Sequence, residues 1–309
     1  MFRKHTRRAA KAAYSISLGV ALLIGLVAAG GGSAAPARSS AVTVTIGTKN
    51  FTEEYILGQL YKQALEAKGY KVNYNESIGS SELIDTAITS GKINFYPEYM
   101  GIIVEDLAKH TAPLPSAAAT YAAAKRFEES RGLTLLNRTP FFDADSFVML
   151  RSKARALHVT RIGQMKKVRH FTYAGYPECR TRPTCLVGLK KVYGLRQVKF
   201  VPLSSISVYT LLNQKKITAG DGFSTDAQLQ SRKYVALRDT KHIFGFQNVA
   251  PVITKQLASE GGAAFAAAVN AVSAKLTIRA IVAMNTAVSI NKKTPADVAD
   301  AFLKANGLK

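Results

Sequence analysis

Two aromatic residues stand at matching positions after predicted strands. In "ITSGKINFYPEYMG", Tyr99 lies seven residues after Lys92, and in "NQKKITAGDGFSTD", Phe223 lies seven residues after Lys216. In α/β sheets, ligands bind outside the carboxyl ends of the strands, in sites lined mainly by apolar and aromatic side chains. The repeat predicts two similar lobes that each contribute one ring to a shared crevice. Packing in the core is the alternative for rings such as Tyr96, since it needs no ligand.

Four acidic residues near the predicted strand ends could perform either of two kinds of chemistry: Glu98, Asp145, Asp221 and Asp226. A pair of carboxylates could hydrolyse a glycoside, whereas carboxylates in a binding cleft attract a cation. The sequence has no Gly-x-Ser-x-Gly elbow, no His-Glu-x-x-His motif, no phosphate-binding loop and no dinucleotide fingerprint. We therefore expect a binding protein and not an enzyme, with no cofactor and no metal.

The first 41 residues predict a targeting segment. Basic residues, including Arg3 and Lys11, precede the apolar run "YSISLGVALLIGLVAA" at 14–29, and small residues follow it. An uncleaved anchor helix is the alternative, although the run is short for a membrane span. Gly31 and Gly32 stand where a lipoprotein would need a cysteine. The segment predicts an exported, extracytoplasmic protein that is not a lipoprotein, associated with a membrane only through this segment or a partner.

Export also bears on the two cysteines, Cys179 and Cys185, which lie in "PECRTRPTCLVG". Disulfides persist in oxidising compartments, so an exported chain with one close pair is expected to bridge it. Metal binding is the competing interpretation. The spacing, with no histidine nearby, matches no common zinc site.

The 309-residue chain carries a net charge of +22, and without residues 1–41, which hold six Lys or Arg and no acid, it carries +16. A strongly basic protein suggests a nucleic acid, another polyanion or an anionic envelope surface as partner. The basic residues are dispersed, and no nucleic-acid-binding motif accompanies them. A solvated basic surface without a nucleic-acid partner is therefore the simpler interpretation.

Alternating strand and helix patterns predict an α/β architecture with mostly parallel sheets. "VTVTIG" predicts a strand, and the following helix begins near Asn50 and Glu53, which resemble a capping box. Thr294 or Asp297 is a plausible cap of the last helix. We predict lobe I at 42–143 plus 252–309 and lobe II at 144–251. Two crossings between lobes imply a hinge.

Five segments together carry a family resemblance: "IGTKNFTEEYILGQLYKQALEAKGY", "SGKINFYPEYMG", "TRPTCLVGLKKVYGL", "GDGFSTDAQL" and "FGFQNVAPVI". In this order they resemble substrate-binding proteins of ABC importers for glycine betaine, carnitine and choline. The resemblance implies a type II periplasmic-binding-protein fold, with two α/β lobes closing on a small ligand by a hinge. It also implies partners, namely the permease and ATPase subunits of an importer.

The ligand class suggests what the site must supply. A trimethylammonium group has no N–H to donate, so aromatic faces must hold it by cation–π attraction, while a betaine carboxylate needs Arg or backbone N–H donors. The resemblance places Tyr99 and Phe223 in an aromatic cage, Phe147 at or beside it, and Arg182 on a carboxylate. Asp145 could point inward instead of Phe147.

Other positions match or depart from the family. Lys49 and Asn50 match positions that line the cleft. Ile102 replaces a threonine that could bind a carboxylate, and the segment with Gln247 and Asn248 offers amides where a tyrosine often occurs. Choline, carnitine or a less methylated, more hydroxylated solute therefore fits better than glycine betaine. A different polar or cationic solute on the same fold, or a basic polyanion-binding protein, is the alternative.

Overall fold

Strands and helices alternate along the chain and build two mixed α/β sheets, as the sequence predicts. The computed structural model describes residues 42–110, 114–204 and 206–309. The predicted targeting segment at 1–41 lies outside the described residues.

The first sheet has the order β2-β1-β3-β10-β4. Its strands are β1 (Thr43–Lys49), β2 (Lys71–Gly79), β3 (Phe95–Tyr99), β4 (Leu133–Leu135) and β10 (Val249–Thr254). Strand β1 is parallel to β2 and β3, while β10 is antiparallel to β3 and β4. The helices on the side of the first sheet are α1 (Thr52–Ala67), α2 (Ser81–Thr89), α3 (Ala117–Glu129), α7 (Lys255–Lys275), α8 (Ile278–Ser289) and α9 (Pro295–Ala305). A π-helical turn lies at Ile102–Leu107.

The second sheet has the order β7-β6-β8-β5-β9. Its strands are β5 (Asp145–Leu150), β6 (Phe171–Gly175), β7 (Val198–Pro202), β8 (Ala219–Phe223) and β9 (Tyr234–Ala236). Strand β6 is parallel to β7 and β8, and β5 is antiparallel to β8 and β9. Short helices α4 (Arg151–Ala156), α5 (Leu186–Lys191) and α6 (Val208–Asn213) join them, with 3-10 turns at Ile162–Lys167, Pro177–Arg180 and Ala227–Gln230.

The two sheets repeat one plan, in which a parallel trio is followed by one antiparallel strand and a short edge strand. The third position is taken by β3 in one sheet and by β8 in the other, and these strands end at Tyr99 and Phe223. The repeat seen in the sequence therefore marks structurally equivalent strands.

The chain passes between the sheets twice, after β4 and before β10. The two crossing segments run side by side, with an antiparallel bridge between Phe142 and Asn248 and a hydrogen bond from Asp143 N–H to Gln247 O of 3.0 Å. Strand β10 begins at Val249 and so spans the end of the predicted lobe II. The lobe boundaries themselves stay a prediction.

One of the predicted helix caps is confirmed, and the other is wrong. Thr294 accepts a hydrogen bond from Asp297 N–H at 3.1 Å and caps α9, as predicted. The capping box at Asn50 and Glu53 is wrong: the N-cap residue of α1 is Phe51, whose side chain makes no capping hydrogen bond. Glu53 is instead buried, because its carboxylate is directed toward Tyr99 and the second sheet.

Separate apolar clusters cover the sheets. One packs α1, α7, α8 and α9 on the first sheet, and another surrounds Phe147, Tyr173 and Leu189 of the second. No single helix within the described ranges has both the length and the apolarity to cross a membrane. The pair α7 and α8 reaches that threshold only when joined across an 83° bend.

Candidate functional site

A small cavity of about 50 Å³ lies where the ends of strands from both sheets meet. Lys49 ends β1 and Tyr99 ends β3, while Phe223 ends β8 and Asp145 begins the antiparallel β5. Tyr176 directly follows β6. Because parallel strands share a carboxyl edge, each sheet presents several side chains to the same space.

Four aromatic rings form a column beside this cavity, in the order Tyr99, Phe51, Phe223, Tyr176. The centroids of Tyr99 and Phe51 are 6.2 Å apart, those of Phe51 and Phe223 are 5.3 Å apart, and those of Phe223 and Tyr176 are 6.4 Å apart. The three interplanar angles are 25°, 16° and 26°. At these distances neighbouring rings are in stacking contact. A group that enters between Phe51 and Phe223 must therefore separate them.

The Tyr99 ring is held from several directions. Its backbone N–H donates to Glu98 Oε1 at 2.7 Å, and its hydroxyl donates to Glu53 Oε1 at 2.8 Å. The Lys49 ammonium lies 4.2 Å from the ring centroid and 5.7 Å from that of Phe51. Burial, together with the charge of Glu53, raises the pKa of Tyr99 well above its ordinary value. The Tyr99 hydroxyl therefore stays protonated and can donate its hydrogen bond to Glu53.

Lys49 belongs to a buried ionic cluster. Its ammonium is hydrogen-bonded to Glu98 and lies 3.6 Å from Glu54 Oε1. Burial raises the pKa of Glu54 to about 8 despite the charge of Lys49. The lysine charge is thus compensated mainly by Glu98 of the protein itself.

Glu53 joins the two halves of the site. It accepts hydrogen bonds from Thr225 Oγ1, which follows β8, at 2.6 Å and from Asn285 Nδ2 of α8 at 2.8 Å. Burial raises the pKa of Glu53, while its three side-chain donors oppose that shift. These bonds hold the second sheet's loop against the first.

Four acidic residues also line the cavity: Asp143, Asp145, Glu178 and Asp221. Burial raises the pKa of Asp145 to about 7, and burial with the nearby charge of Asp145 raises that of Asp221 well above its usual value. A cation entering the cavity would favour the ionised forms.

Arg182 lines the cavity but is engaged by the protein itself. Its Nε donates to Glu82 Oε1 at 3.2 Å, and a terminal nitrogen donates to Glu82 Oε2 at 3.0 Å. Glu82 lies on α2, in the other half of the site. Although partial burial acts the other way, the hydrogen bonds and charge of Arg182 lower the pKa of Glu82 to about 2.

The structure brings six of the predicted ligand-binding residues to the cavity: Lys49, Asn50, Tyr99, Asp145, Arg182 and Phe223. Cys179 and Cys185 also line it and form a disulfide bond, with their Cα atoms 5.1 Å apart. Asp221 lies close to both sulfurs. A disulfide has no thiolate to offer a metal ion, so this grouping lacks the ligands of a zinc site.

Phe147 is not in the cavity wall, which corrects its predicted position. It shares a face of β5 with Asp145 but lies two residues farther along the strand, below the cavity. It is fully buried against Phe171 and Tyr173, with centroids 6.2 and 5.0 Å away. Of the two alternatives in this strand, Asp145 is the residue that faces the site.

Asn248 is also displaced from its predicted role. Its Nδ2 donates to Thr139 O at 3.1 Å and to Phe141 O at 2.9 Å, and so joins the two crossing segments. Gln247 does line the cavity, but its Oε1 accepts from Ile102 N–H at 3.1 Å and its Nε2 donates to Phe244 O at 3.0 Å. These amides stabilise the connection between the sheets.

Sequence reasoning missed two of the four rings, Phe51 and Tyr176. Both carry the signal that identified Tyr99, because each lies within two residues of the carboxyl end of a parallel strand. It also missed a second cavity, of about 520 Å³, on the other side of the column. Phe51, Tyr176 and Phe223 line both cavities.

Two α/β sheets with a shared site at their strand ends and two crossing segments define a two-lobed, type II periplasmic-binding-protein fold, which confirms the predicted fold class. Residues 42–305 match the model of the "Substrate binding domain of ABC-type glycine betaine transport system". The chain belongs to this family, which is one of transport substrate-binding domains and not of enzymes.

Individual relatives agree with this assignment. The chain is 30% identical over 301 residues to the glycine-betaine-binding protein of Pseudomonas aeruginosa, covering 93% of this chain and 95% of the relative. It is 23% identical to the carnitine transport binding protein OpuCC of Listeria monocytogenes, covering 87% and 88%. A solved structure described as a glycine betaine/carnitine/choline ABC transporter superposes with a TM-score of 0.68 at 22% identity, covering 86% of this chain and 99% of the other.

Proposed function

We propose that this protein is an extracytoplasmic solute-binding protein that captures a quaternary ammonium osmoprotectant of the betaine, choline or carnitine type. It delivers the solute to the permease and ATPase subunits of an ABC importer. Export depends on the segment at 1–41. The names of the relatives from P. aeruginosa and L. monocytogenes support this ligand class.

The column of four rings carries the proposal. Tyr99 and Phe51 come from the first sheet's side of the site, and Phe223 and Tyr176 come from the second. A quaternary ammonium ion has no donor hydrogen, so ring faces are the groups that can hold it, at about 0.5 to 2 kcal/mol per ring. Opening the lobes would part Phe51 from Phe223, and closing them would place rings from both sides against the head group.

The acidic groups of the cavity wall support a cationic head group. Asp143, Asp145, Glu178 and Asp221 line the cavity, whereas its two basic residues, Lys49 and Arg182, are already paired with protein carboxylates. Burial raises the pKa of Asp143, Asp145 and Asp221, which reduces their negative charge in the empty cavity, and a positive ligand favours their ionised forms. The overall net charge of +22 therefore does not describe the local potential.

Calorimetry with choline and its uncharged isostere, 3,3-dimethylbutan-1-ol, tests the proposal. The two ligands have the same shape and hydroxyl, and only choline is charged. Choline should bind at least about tenfold more tightly, because the isostere gains no cation–π or charge attraction. Equal affinities, or no saturable binding of choline, carnitine or glycine betaine, would overturn it.

Two variants show whether the rings cause the difference. Phe223→Leu keeps apolar bulk but removes a ring face, and should reduce the preference for choline over the isostere. Phe302→Leu makes the same change on α9, away from the residues that line either cavity, and should leave the preference intact. Tight binding of a DNA oligomer that weakens steeply between about 50 and 200 mM salt would favour a polyanion-binding protein instead.

A further inference from the structure

Arg182 is the residue that the family resemblance assigns to a ligand carboxylate. It lines the cavity between the sheets, and its side chain is 14% exposed. A guanidinium group binds a carboxylate best through two parallel N–H···O bonds. Whether Arg182 can bind a ligand carboxylate in this way therefore depends on which of its N–H groups are already hydrogen-bonded within the protein.

Glu82 already accepts two parallel hydrogen bonds from one edge of the Arg182 guanidinium. Both of its carboxylate oxygens accept from Arg182, at 3.2 and 3.0 Å, across a sequence separation of 100 residues. Glu82 lies in the first turn of α2, where the helix dipole also favours a negative charge. The pair consequently joins the two halves of the site and presents the arginine with a carboxylate of the protein's own.

Other carboxylates surround the same guanidinium. Burial opposes the charge of Arg182, but its hydrogen bonds to Glu82 and the charges of Glu82, Asp106 and Glu178 raise the pKa of Arg182. Lys49, the other cation of the cavity wall, is paired with Glu98 and Glu54. A ligand carboxylate that binds the Nε edge of Arg182 would have to displace Glu82. One that approaches the other N–H groups of the guanidinium would meet an excess of negative charge.

We infer that Glu82 is a specificity-determining residue, which occupies the carboxylate-binding geometry of Arg182 and thereby disfavours ligands with a carboxylate relative to ligands with a neutral hydroxyl. The inference rests on the proposed function, since both kinds of ligand share the ammonium head group. A monocation such as choline leaves the Glu82–Arg182 pair in place. A zwitterion such as glycine betaine competes with it.

The test is calorimetric titration of choline and glycine betaine into the wild-type chain, Glu82→Gln and Glu82→Ala. Both substitutions should raise the ratio of betaine affinity to choline affinity by about tenfold, because a released guanidinium can make charge-assisted bonds to the betaine carboxylate. The ratio is the useful measure, because weaker closure of the lobes would affect both ligands alike. Thermal unfolding by circular dichroism establishes that each variant is folded.

Glu178→Gln is the matched control. Glu178 also lines the cavity near Arg182, but in the described part of the chain it makes no hydrogen bond or ion pair with that arginine. Removing the charge of Glu178 should change the ratio of betaine affinity to choline affinity by less than about threefold, since Glu82 still accepts both hydrogen bonds from Arg182. Adding Arg182→Gln to Glu82→Gln should abolish the gain.

The inference is overturned if choline binds to the wild-type chain and the ratio in both Glu82 variants stays within about twofold of the wild-type value. A shift in Glu178→Gln as large as that in Glu82→Gln would also overturn it, since general charge would then explain the preference. If neither ligand binds to the wild-type chain, the proposed function fails first, and the inference fails with it.

Discussion

The two sides of the aromatic column are built differently. On the first sheet's side, Tyr99 is 5% exposed, and its backbone N–H, hydroxyl and one ring face contact Glu98, Glu53 and Lys49 respectively. On the second sheet's side, Phe223 and Tyr176 are half-buried. The Phe223 ring stacks 5.3 Å from the ring of Phe51 and 6.4 Å from that of Tyr176.

This contrast suggests a division of labour. A ring fixed by an ionic cluster and hydrogen bonds is already oriented before a ligand arrives, which reduces the entropy lost on binding. Rings held by stacking can move apart and close again at lower cost. Tyr99 therefore gives the first side a rigid surface, and the second side supplies the adjustable one. Phe51 lies between them and is itself stacked on both neighbours.

The largest expected effect concerns the rigid side. Lys49→Met removes the cation that is paired with the buried Glu98 inside the protein. Removing one partner of a buried ion pair costs about 3 to 5 kcal/mol, because the other charge is left without compensation. Chemical denaturation should show a loss of this size in the free energy of unfolding.

The control for Lys49→Met is Lys62→Met, because Lys62 forms a surface pair with Glu66 at 2.8 Å. Its loss should stay within about 0.5 kcal/mol. On the adjustable side, Phe223→Leu should cost less than about 1.5 kcal/mol of folding stability. Comparable losses for Lys49→Met and Lys62→Met would show that the ionic cluster does not make the first side rigid.

A smaller effect comes from the acids near the adjustable side. Burial raises the pKa of Asp145 to about 7; Asp106 and Glu178 act in the same direction, while Arg182 and Lys49 oppose it. A bound cation favours ionised Asp145, so binding below about pH 7 must release a proton. Choline affinity should therefore rise by roughly threefold to tenfold from about pH 6 to 8 and level off above.

Calorimetry across this pH range, in buffers of different ionisation enthalpy, measures both the affinity and the proton released. Asp145→Asn should flatten the profile, as should replacing choline with its neutral isostere. A rise that persists unchanged in Asp145→Asn would assign the titration to another group, such as Glu54, whose pKa burial raises to about 8.

Much of the fold and part of the site were predictable from local pattern. Alternating strands and helices gave the two-sheet architecture, and the repeat of Lys-Ile followed by an aromatic identified Tyr99 and Phe223 at equivalent strand ends. A simpler rule, which selects any aromatic residue within two positions of the carboxyl end of a parallel strand, would also have selected Phe51 and Tyr176. Strand ends are accessible to sequence reasoning because hydrophobic runs show where strands stop.

The errors arise where long-range contacts decide. Glu53 has the spacing of a capping residue, yet its carboxylate is bound by Tyr99, Thr225 and Asn285, the last two being 172 and 232 residues away. Arg182 lines the cavity, but local pattern does not reveal its pairing with Glu82, which lies 100 residues earlier. Phe147 differs from Asp145 only in depth along one strand face, which no local pattern reveals.

A crystal structure of the choline complex would test directly whether rings from both sheets enclose the ligand. It should show the choline nitrogen within about 6 Å of the ring centroids of both Phe51 and Phe223, one ring from each side of the site. Phe51 and Phe223 should be farther apart than their present 5.3 Å. Choline bound elsewhere, with the four rings still stacked as they are now, would contradict the claim that rings from both sheets enclose the ligand.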